Sequence, residues 1–245
     1  MKIVVVNPNT TASMTRAIGE TAARVAAAGT DIVAVNPADG PASIEGFYDE
    51  AFAVPGLLRE IARFERDAPA DAYVVACFDD TGLEAARCLA RAPVVGIGEA
   101  AFHMASLLAA RFSVITTLGR SVVALEHNLS KYGLSSRCAR VRAAEVPVLS
   151  LEQPGSPARA RIDAEIARAL SEDRAEAIVL GCAGMTSLAA SLSTTHGVPV
   201  LDGVAAAVKL AEGLAALGLR TSKACSYAPP LAKTFDGVFA GDAPR

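Results

Sequence analysis

The chain has no C-x-x-C pair, and its five cysteines are odd in number and irregularly spaced. That excludes a zinc knuckle and a disulfide framework and leaves free thiols as the expectation. Histidine is scarce as well: His103, His127 and His196 fall on expected helices or beside a turn. None of the three has metal-ligand spacing, and none is placed by motif to activate a thiol, which weighs against a cysteine hydrolase. There is no block of like charge, and a net charge of −3 gives no reason to expect nucleic acid or an anionic membrane as a partner. No apolar run is long enough to cross a bilayer, and Ile3-Val-Val-Val6 stops at Asn7, too short for a secretion signal. A cytoplasmic location is the expectation.

What is present is a duplicated sentence. Asp71-Ala-Tyr-Val-Val-Ala-Cys77-Phe-Asp-Asp-Thr-Gly-Leu83 reads as a buried strand that ends on a cysteine and turns into a helix. Glu176-Ala-Ile-Val-Leu-Gly-Cys182-Ala-Gly-Met-Thr-Ser-Leu188 repeats it 105 residues later, with the acidic residue, the apolar run, the cysteine and the leucine at the same offset. Ala92-Pro-Val-Val-Gly and Val198-Pro-Val-Leu-Asp continue the match at an offset of 106. In a chain of 245 residues, 52% hydrophobic and 20% charged, this predicts a globular α/β protein of two similar lobes with parallel-type sheets and a site in the cleft between them. The expected boundaries are residues 1–98 plus 207–245 for the lobe that carries Cys77, and 99–206 for the lobe that carries Cys182.

Strands are expected at residues 2–7, 31–36, 93–98, 112–117 and 138–144, besides the two that precede the paired cysteines. Helices are expected near 13–28, 55–66, 99–110, 158–170 and 204–217, with others after Cys77 and through Asn128. Alternation at this spacing means right-handed crossovers. Residues 37–48, rich in glycine and proline, form a loop long enough to cover a site at the strand ends, and Gln153-Pro-Gly-Ser-Pro157 answers it in the second lobe.

Ligands of open parallel sheets bind outside the carboxyl ends of the strands. Both cysteines are expected there, each before a helix amino terminus whose N–H groups and dipole would lower the thiol pKa and bring a thiolate within reach of neutral pH. One thiol on each side of a substrate suits removal of a proton from carbon on one face and its return on the other, the chemistry of a racemase or epimerase. Backbone N–H groups after each cysteine, with Thr81 and Thr117, would hold the anionic intermediate, so no electron-sink cofactor is required. Taken singly, each cysteine reads as a small buried hydrophobe, and Cys88, Cys138 and Cys225, which lack duplicate partners, keep that reading. Asp79 and Asp80 are expected to cap the following helix and orient the site, with metal binding or a base role as alternatives.

Asn7-Pro-Asn-Thr-Thr, Cys77-Phe-Asp-Asp-Thr-Gly, Gly96-Ile-Gly-Glu-Ala and Leu180-Gly-Cys-Ala-Gly-Met together resemble the hydantoin and allantoin racemases of the aspartate/glutamate racemase superfamily, over essentially the whole chain. The resemblance implies cofactor-independent, two-base racemisation at C5 of a hydantoin ring, with Cys77 and Cys182 as the bases, and it implies a homo-oligomer. Where amino-acid racemases of the superfamily have Asn-Thr and Thr-Glu after the two cysteines, this chain has Phe78-Asp79 and Ala183-Gly184, which favours a neutral cyclic substrate. Backbone at Gly181, Ala183 and Gly184 would pair with the ring amides. The segment Pro41-Ala-Ser43-Ile44-Glu-Gly-Phe47 resembles the family loop that closes over the ring substituent, which adds Ser43, Ile44 and Phe47; ordinary loop packing is the alternative for the last two. Asn7 and Asp80 complete the expected site. The competing readings are an amino-acid racemase, a maleate-type isomerase or an arylmalonate-type decarboxylase of the same superfamily, and a non-catalytic two-lobed binding protein.

Overall fold

The computed structural model describes residues 1–153 and 155–244. Strands β1 (Lys2–Val6), β2 (Asp31–Val35), β3 (Ala72–Val75) and β4 (Val94–Gly96) form one sheet in the order β2-β1-β3-β4. Strands β5 (Phe112–Thr116), β6 (Cys138–Ala143), β7 (Ala177–Gly181) and β8 (Val200–Asp202) form a second in the order β6-β5-β7-β8. Every pairing is parallel, and the second order is the first shifted by four strands. Val6 pairs with Val75 as Thr116 pairs with Gly181, so equivalent residues leave the two sheets side by side at their carboxyl ends.

Alternation along the strands divides the core into layers. Val5 and Val74 of the first sheet share a cluster with Val114 and Val179 of the second, while Val4 and Tyr73 face an outer cluster under α2 (Phe47–Asp67) and α3 (Leu83–Leu89). The shared layer is filled by α1 (Ala12–Val25), α4 (Ile97–Leu108) and α8 (Gly203–Ala216). Helix α4 leaves the first sheet and packs on β7 and β8 of the second, and α8 returns from the second to β1, β3 and β4 of the first. Their small buried faces, Gly98, Ala100, Ala101 and Ala105 on one and Gly203, Ala206, Ala207 and Ala211 on the other, permit that close crossing. A Cβ on Gly203 would stand 2.6 Å from the carbonyl oxygen of Ile97. The segment from Thr221 lies along α3 and α2, held by Thr221 Oγ1 to the Ala92 carbonyl and by the Arg59–Asp242 ion pair. The remaining helices are α5 (Val122–Lys131), α6 (Ala158–Glu172) and α7 (Ala189–His196).

Three expectations need correction. The helix expected from residue 55 begins at Phe47, with Pro55 inside it. An interior proline costs about 3 kcal/mol, but α2 fully buries Leu57 and Ile61, each contributing about 1.5–3 kcal/mol, so packing outweighs the local penalty. Cys182 is followed by a 3-10 turn, Ala183–Leu188, and α3 begins six residues after Cys77, so neither cysteine directly precedes an α-helix. Pro154, within the expected loop 153–157, lies outside the described residues.

The third correction concerns Asp80, which does not cap α3. Its backbone adopts φ +52°, and its carboxylate accepts from the N–H groups of Gly98 (3.0 Å) and Glu99 (2.8 Å) at the start of α4. In the second lobe Asp202 accepts the equivalent bonds from Val204 and Ala205, but from the strand end itself. The residue equivalent to Asp202 is Gly96, and a Cβ there would collide with Asp80 Oδ1. One carboxylate fits at each helix start, so an aspartate arriving from the loop requires a glycine at the strand end. Gly96→Ala is therefore expected to lower the free energy of unfolding by about 1–3 kcal/mol, read from urea denaturation midpoints at unchanged slope.

Candidate active site

The parallel register brings four strand ends together: β1 delivers Asn7, β3 delivers Cys77, β5 delivers Thr117 and β7 delivers Cys182. All four line one cavity of about 30 Å³. Ile44, from the loop before α2, and Val148, after β6, line it as well. Glu45 accepts from the Val148 N–H at 2.8 Å, a bond that fastens one loop to the other. An ordinary ligand pocket is roughly 300 Å³ or more, so the cavity as it stands is small for a ring, while both cysteines keep part of their surface exposed.

Burial dominates the electrostatics. It pushes the Cys77 thiol well up, with the Asp79 charge adding to it, against the Thr81 hydroxyl, 3.3 Å from the sulfur, and the Asp79 backbone N–H. Burial likewise pushes Cys182 up to about 12, opposed by the Gly184 N–H and reinforced by Asp79 and Glu45. Burial thus works against the thiolate expected near neutral pH. Desolvation of a charge in a small cavity exceeds what one or two N–H groups return, and no α-helix start adjoins either sulfur. The carboxyls around the site are raised too. Burial and the neighbouring Glu50 and Asp80 charges bring Asp79 to about 8. Asp80 is raised to about 7 by burial, against bonds from Tyr132, Gly98 and Glu99. Glu50 is raised by burial, and its Oε1 is buried without a hydrogen-bond partner.

Of the residues expected from sequence, Asn7, Ile44, Cys77, Thr117, Gly181, Cys182 and Ala183 line the cavity. Asn7 is scaffold as much as surface, because its amide nitrogen is spent on Asn9 Oδ1 and Thr15 Oγ1. Thr81, Asp80 and Gly184 stand behind it: Thr81 bonds the Cys77 sulfur, Asp80 ties the loop, and Gly184 supplies an N–H to Cys182. Ser43 does not line the cavity, and Phe47 is 57% exposed at the start of α2. The sequence reading missed Asn9, Thr116 and Ser121 and gave Asp79 a base role only as an alternative to capping. Asn9 shares the Asn7-Pro-Asn motif, a usable signal; Ser121 carries none. Thr116 Oγ1 is committed to the Gly181 carbonyl, whereas the hydroxyls of Thr117 and Ser121 make no hydrogen bond among the described residues and are free for a ligand. Among those residues no three of His, Cys, Asp and Glu converge to hold a metal ion.

A two-lobed α/β protein with a thiol from equivalent strand ends of each sheet facing a shared cavity has the form of a racemase, an isomerase. The sequence model of the Asp/Glu/Hydantoin racemase family matches residues 3–211, and the chain belongs to that family. It is 52% identical to a hydantoin racemase from Rhizobium meliloti over 97% of this chain and 98% of that one. It is 47% identical to a hydantoin racemase from Pseudomonas sp. strain NS671, over 97% and 95%. The structure of an allantoin racemase from Klebsiella pneumoniae superposes with a TM-score of 0.97 at 47% identity, covering 100% of both chains. The two-lobed fold extends further, to an aspartate racemase from Picrophilus torridus at a TM-score of 0.63 and 16% identity over 94% of this chain and 100% of that one. Among the described residues no helix is long and apolar enough to cross a membrane.

The thiols differ in accessibility. Cys225 is exposed, while Cys77 and Cys182 are half-buried and share the small cavity. Iodoacetamide at neutral pH is expected to label Cys225 first, with Cys77 and Cys182 following slowly and faster as pH rises, as read by peptide mass spectrometry.

Proposed function

We propose that the protein interconverts the enantiomers of a hydantoin-ring substrate, allantoin or a 5-substituted hydantoin, by two-base proton transfer at C5 with Cys77 and Cys182 as the bases. The observation that carries this reading is the pair of thiols on one cavity, one from each lobe. The hydantoin racemases at 44–52% identity and the allantoin racemase structures support the substrate class. Residues 1–98 with 207–245 would bring one base and residues 99–206 the other.

A C5 hydrogen flanked by a ring carbonyl leaves an enolate when it is removed. The free hydroxyls of Thr117 and Ser121 and the backbone at Gly181 and Ala183 are the donors and acceptors nearest the thiols for that anion and the ring amides. One thiolate removes hydrogen from one face, and the opposite thiol returns one to the other face. The two thiols then hold the same single proton deficit with its position exchanged. Their titration belongs to the pair.

The direct test follows optical rotation and deuterium incorporation with single-enantiomer allantoin, and separately a 5-alkyl hydantoin, in heavy water. Wild type is expected to lose rotation as deuterium enters C5, and Cys77→Ser and Cys182→Ser are each expected to abolish the loss. Each single variant is still expected to exchange the C5 hydrogen of the one enantiomer that faces its remaining thiol, without inversion. Racemisation that survives either substitution would rule out the two-base assignment, and the faster ring would choose between the substrates. Thr81→Val removes the hydroxyl that stabilises the Cys77 thiolate. At about 1 kcal/mol for the bond, kcat/KM is expected to fall about fivefold, and equally in both directions, because the equilibrium constant between enantiomers is one.

A further inference from the structure

Two-base racemisation leaves a question that the thiols do not answer. After each turnover the proton deficit sits on the wrong sulfur, and burial disfavours a thiolate on either. A group that exchanges protons with both sulfurs would resolve both difficulties. Asp79 is positioned to be that group: it lines the same cavity as Cys77 and Cys182, with room beside it for a bridging water. Its carboxylate has no hydrogen bond or ion pair among the described residues; its backbone carbonyl alone is engaged, by Asn128 Nδ2 at 2.8 Å. The Asp79 charge also acts on both thiols.

Resting on the two-thiol reading above, we propose that Asp79 is the proton relay of the site, taking a proton from whichever thiol is to act as base and returning it to the other. In one direction the Cys77 S–H bond breaks and an O–H bond forms on the Asp79 carboxylate, directly or through one water. The Cys77 thiolate removes the C5 hydrogen and becomes a thiol. The Cys182 S–H bond breaks as its proton passes to the opposite face of C5, and the Cys182 thiolate is restored by the proton held on Asp79. The opposite direction exchanges the two cysteines. In its competent form the site carries one negative charge throughout the cycle, which rests on Asp79 between turnovers, where burial costs less than on sulfur. That ordering agrees with a carboxyl raised to about 8 beside thiols raised further.

The groups that tune Asp79 are acidic. Glu50 faces it from α2 with its Oε1 buried and unpartnered, and Asp80 adjoins it in the loop. Glu45 acts on the same site through Cys182. Among the described residues no lysine or arginine pairs with Asp79 or Glu50. A raised folded-state pKa keeps Asp79 protonated below about pH 8, so the relay-competent carboxylate is gained as pH rises through that value.

The experiment is the pH dependence of kcat/KM, which reports the free enzyme, for wild type, Asp79→Asn and Glu50→Gln, with Cys77→Ser and Cys182→Ser assayed alongside. Wild type is expected to rise to a plateau with a midpoint near pH 8. Asp79→Asn, which keeps the shape but cannot ionise, is expected to lose that midpoint and fall about 100-fold at pH 7. Glu50→Gln removes a like charge and is expected to move the midpoint to lower pH. An Asp79→Asn profile with the wild-type midpoint, or a Glu50→Gln midpoint that stays or moves up, would overturn the relay while the two cysteine variants remain inactive. Racemisation by either cysteine variant would instead overturn the two-thiol reading on which the relay rests.

Discussion

A single buried carboxylate, Asp80, ties together the parts of this molecule that must keep their places for chemistry. Its oxygens accept from two N–H groups at the start of α4 and from the hydroxyl of Tyr132, 2.7 Å away at the end of α5. The loop that carries Cys77 is thereby bound to a helix that crosses to the second sheet and to a residue of the second half of the chain. Asn128, one turn earlier on α5, adds a bond to the Asp79 carbonyl. A buried carboxylate without partners would be costly, and one with three donors is directional. Its neighbours conform to it: Gly96 and Gly98 have no side chains because the carboxylate and the Phe78 carbonyl occupy the space a Cβ would need.

The same burial that fixes the loop makes the thiols hard to ionise, and the structure meets that with placement rather than with positive charge. Among the described residues no lysine or arginine side chain lines the cavity. Single N–H groups and one hydroxyl aim at the sulfurs, and acidic groups surround them. A cationic neighbour would hold a thiolate permanently and make it a poor base. A thiol made a weak acid by desolvation leaves a strongly basic thiolate once its proton has gone, which is what the proposed abstraction from carbon demands. The Glu45–Val148 bond belongs to the same design, since it holds together two of the loops that border the cavity.

Much of this was legible in the sequence. The duplication predicted two similar parallel sheets and put Cys77 and Cys182 at equivalent strand ends, because a buried strand and the residue that leaves it are local in sequence. What failed was whatever depends on another part of the chain. Pro55 marked a helix start by propensity, but the Leu57 and Ile61 packing that carries α2 through it is tertiary. Asp80 read as a cap for the next helix, and only its left-handed backbone turns it toward α4 instead. Ser121 joined the cavity with no pattern to announce it. The burial that opposes thiol ionisation was not legible for the same reason: a dipole is visible in sequence as a helix start, whereas desolvation is visible only once strand ends and loops from both halves of the chain pack around the sulfur.

The lobes are similar but not identical, and a racemase has use for the difference. Its two substrates are mirror images, while the protein that holds them is built from one hand of amino acid, so a perfect two-fold site would still present unlike surroundings to each enantiomer. Here the asymmetry is explicit. Cys77 has a threonine hydroxyl on its sulfur and Cys182 a backbone N–H, and the carboxylates that bear on each differ in all but Asp79. Such differences cannot alter the ratio of kcat/KM values, which the unit equilibrium constant fixes. They can only trade tighter binding of one enantiomer against its slower turnover. The lobes are therefore free to diverge wherever the change moves binding and turnover together, and constrained where a residue bears on both directions at once, as Asp79 does.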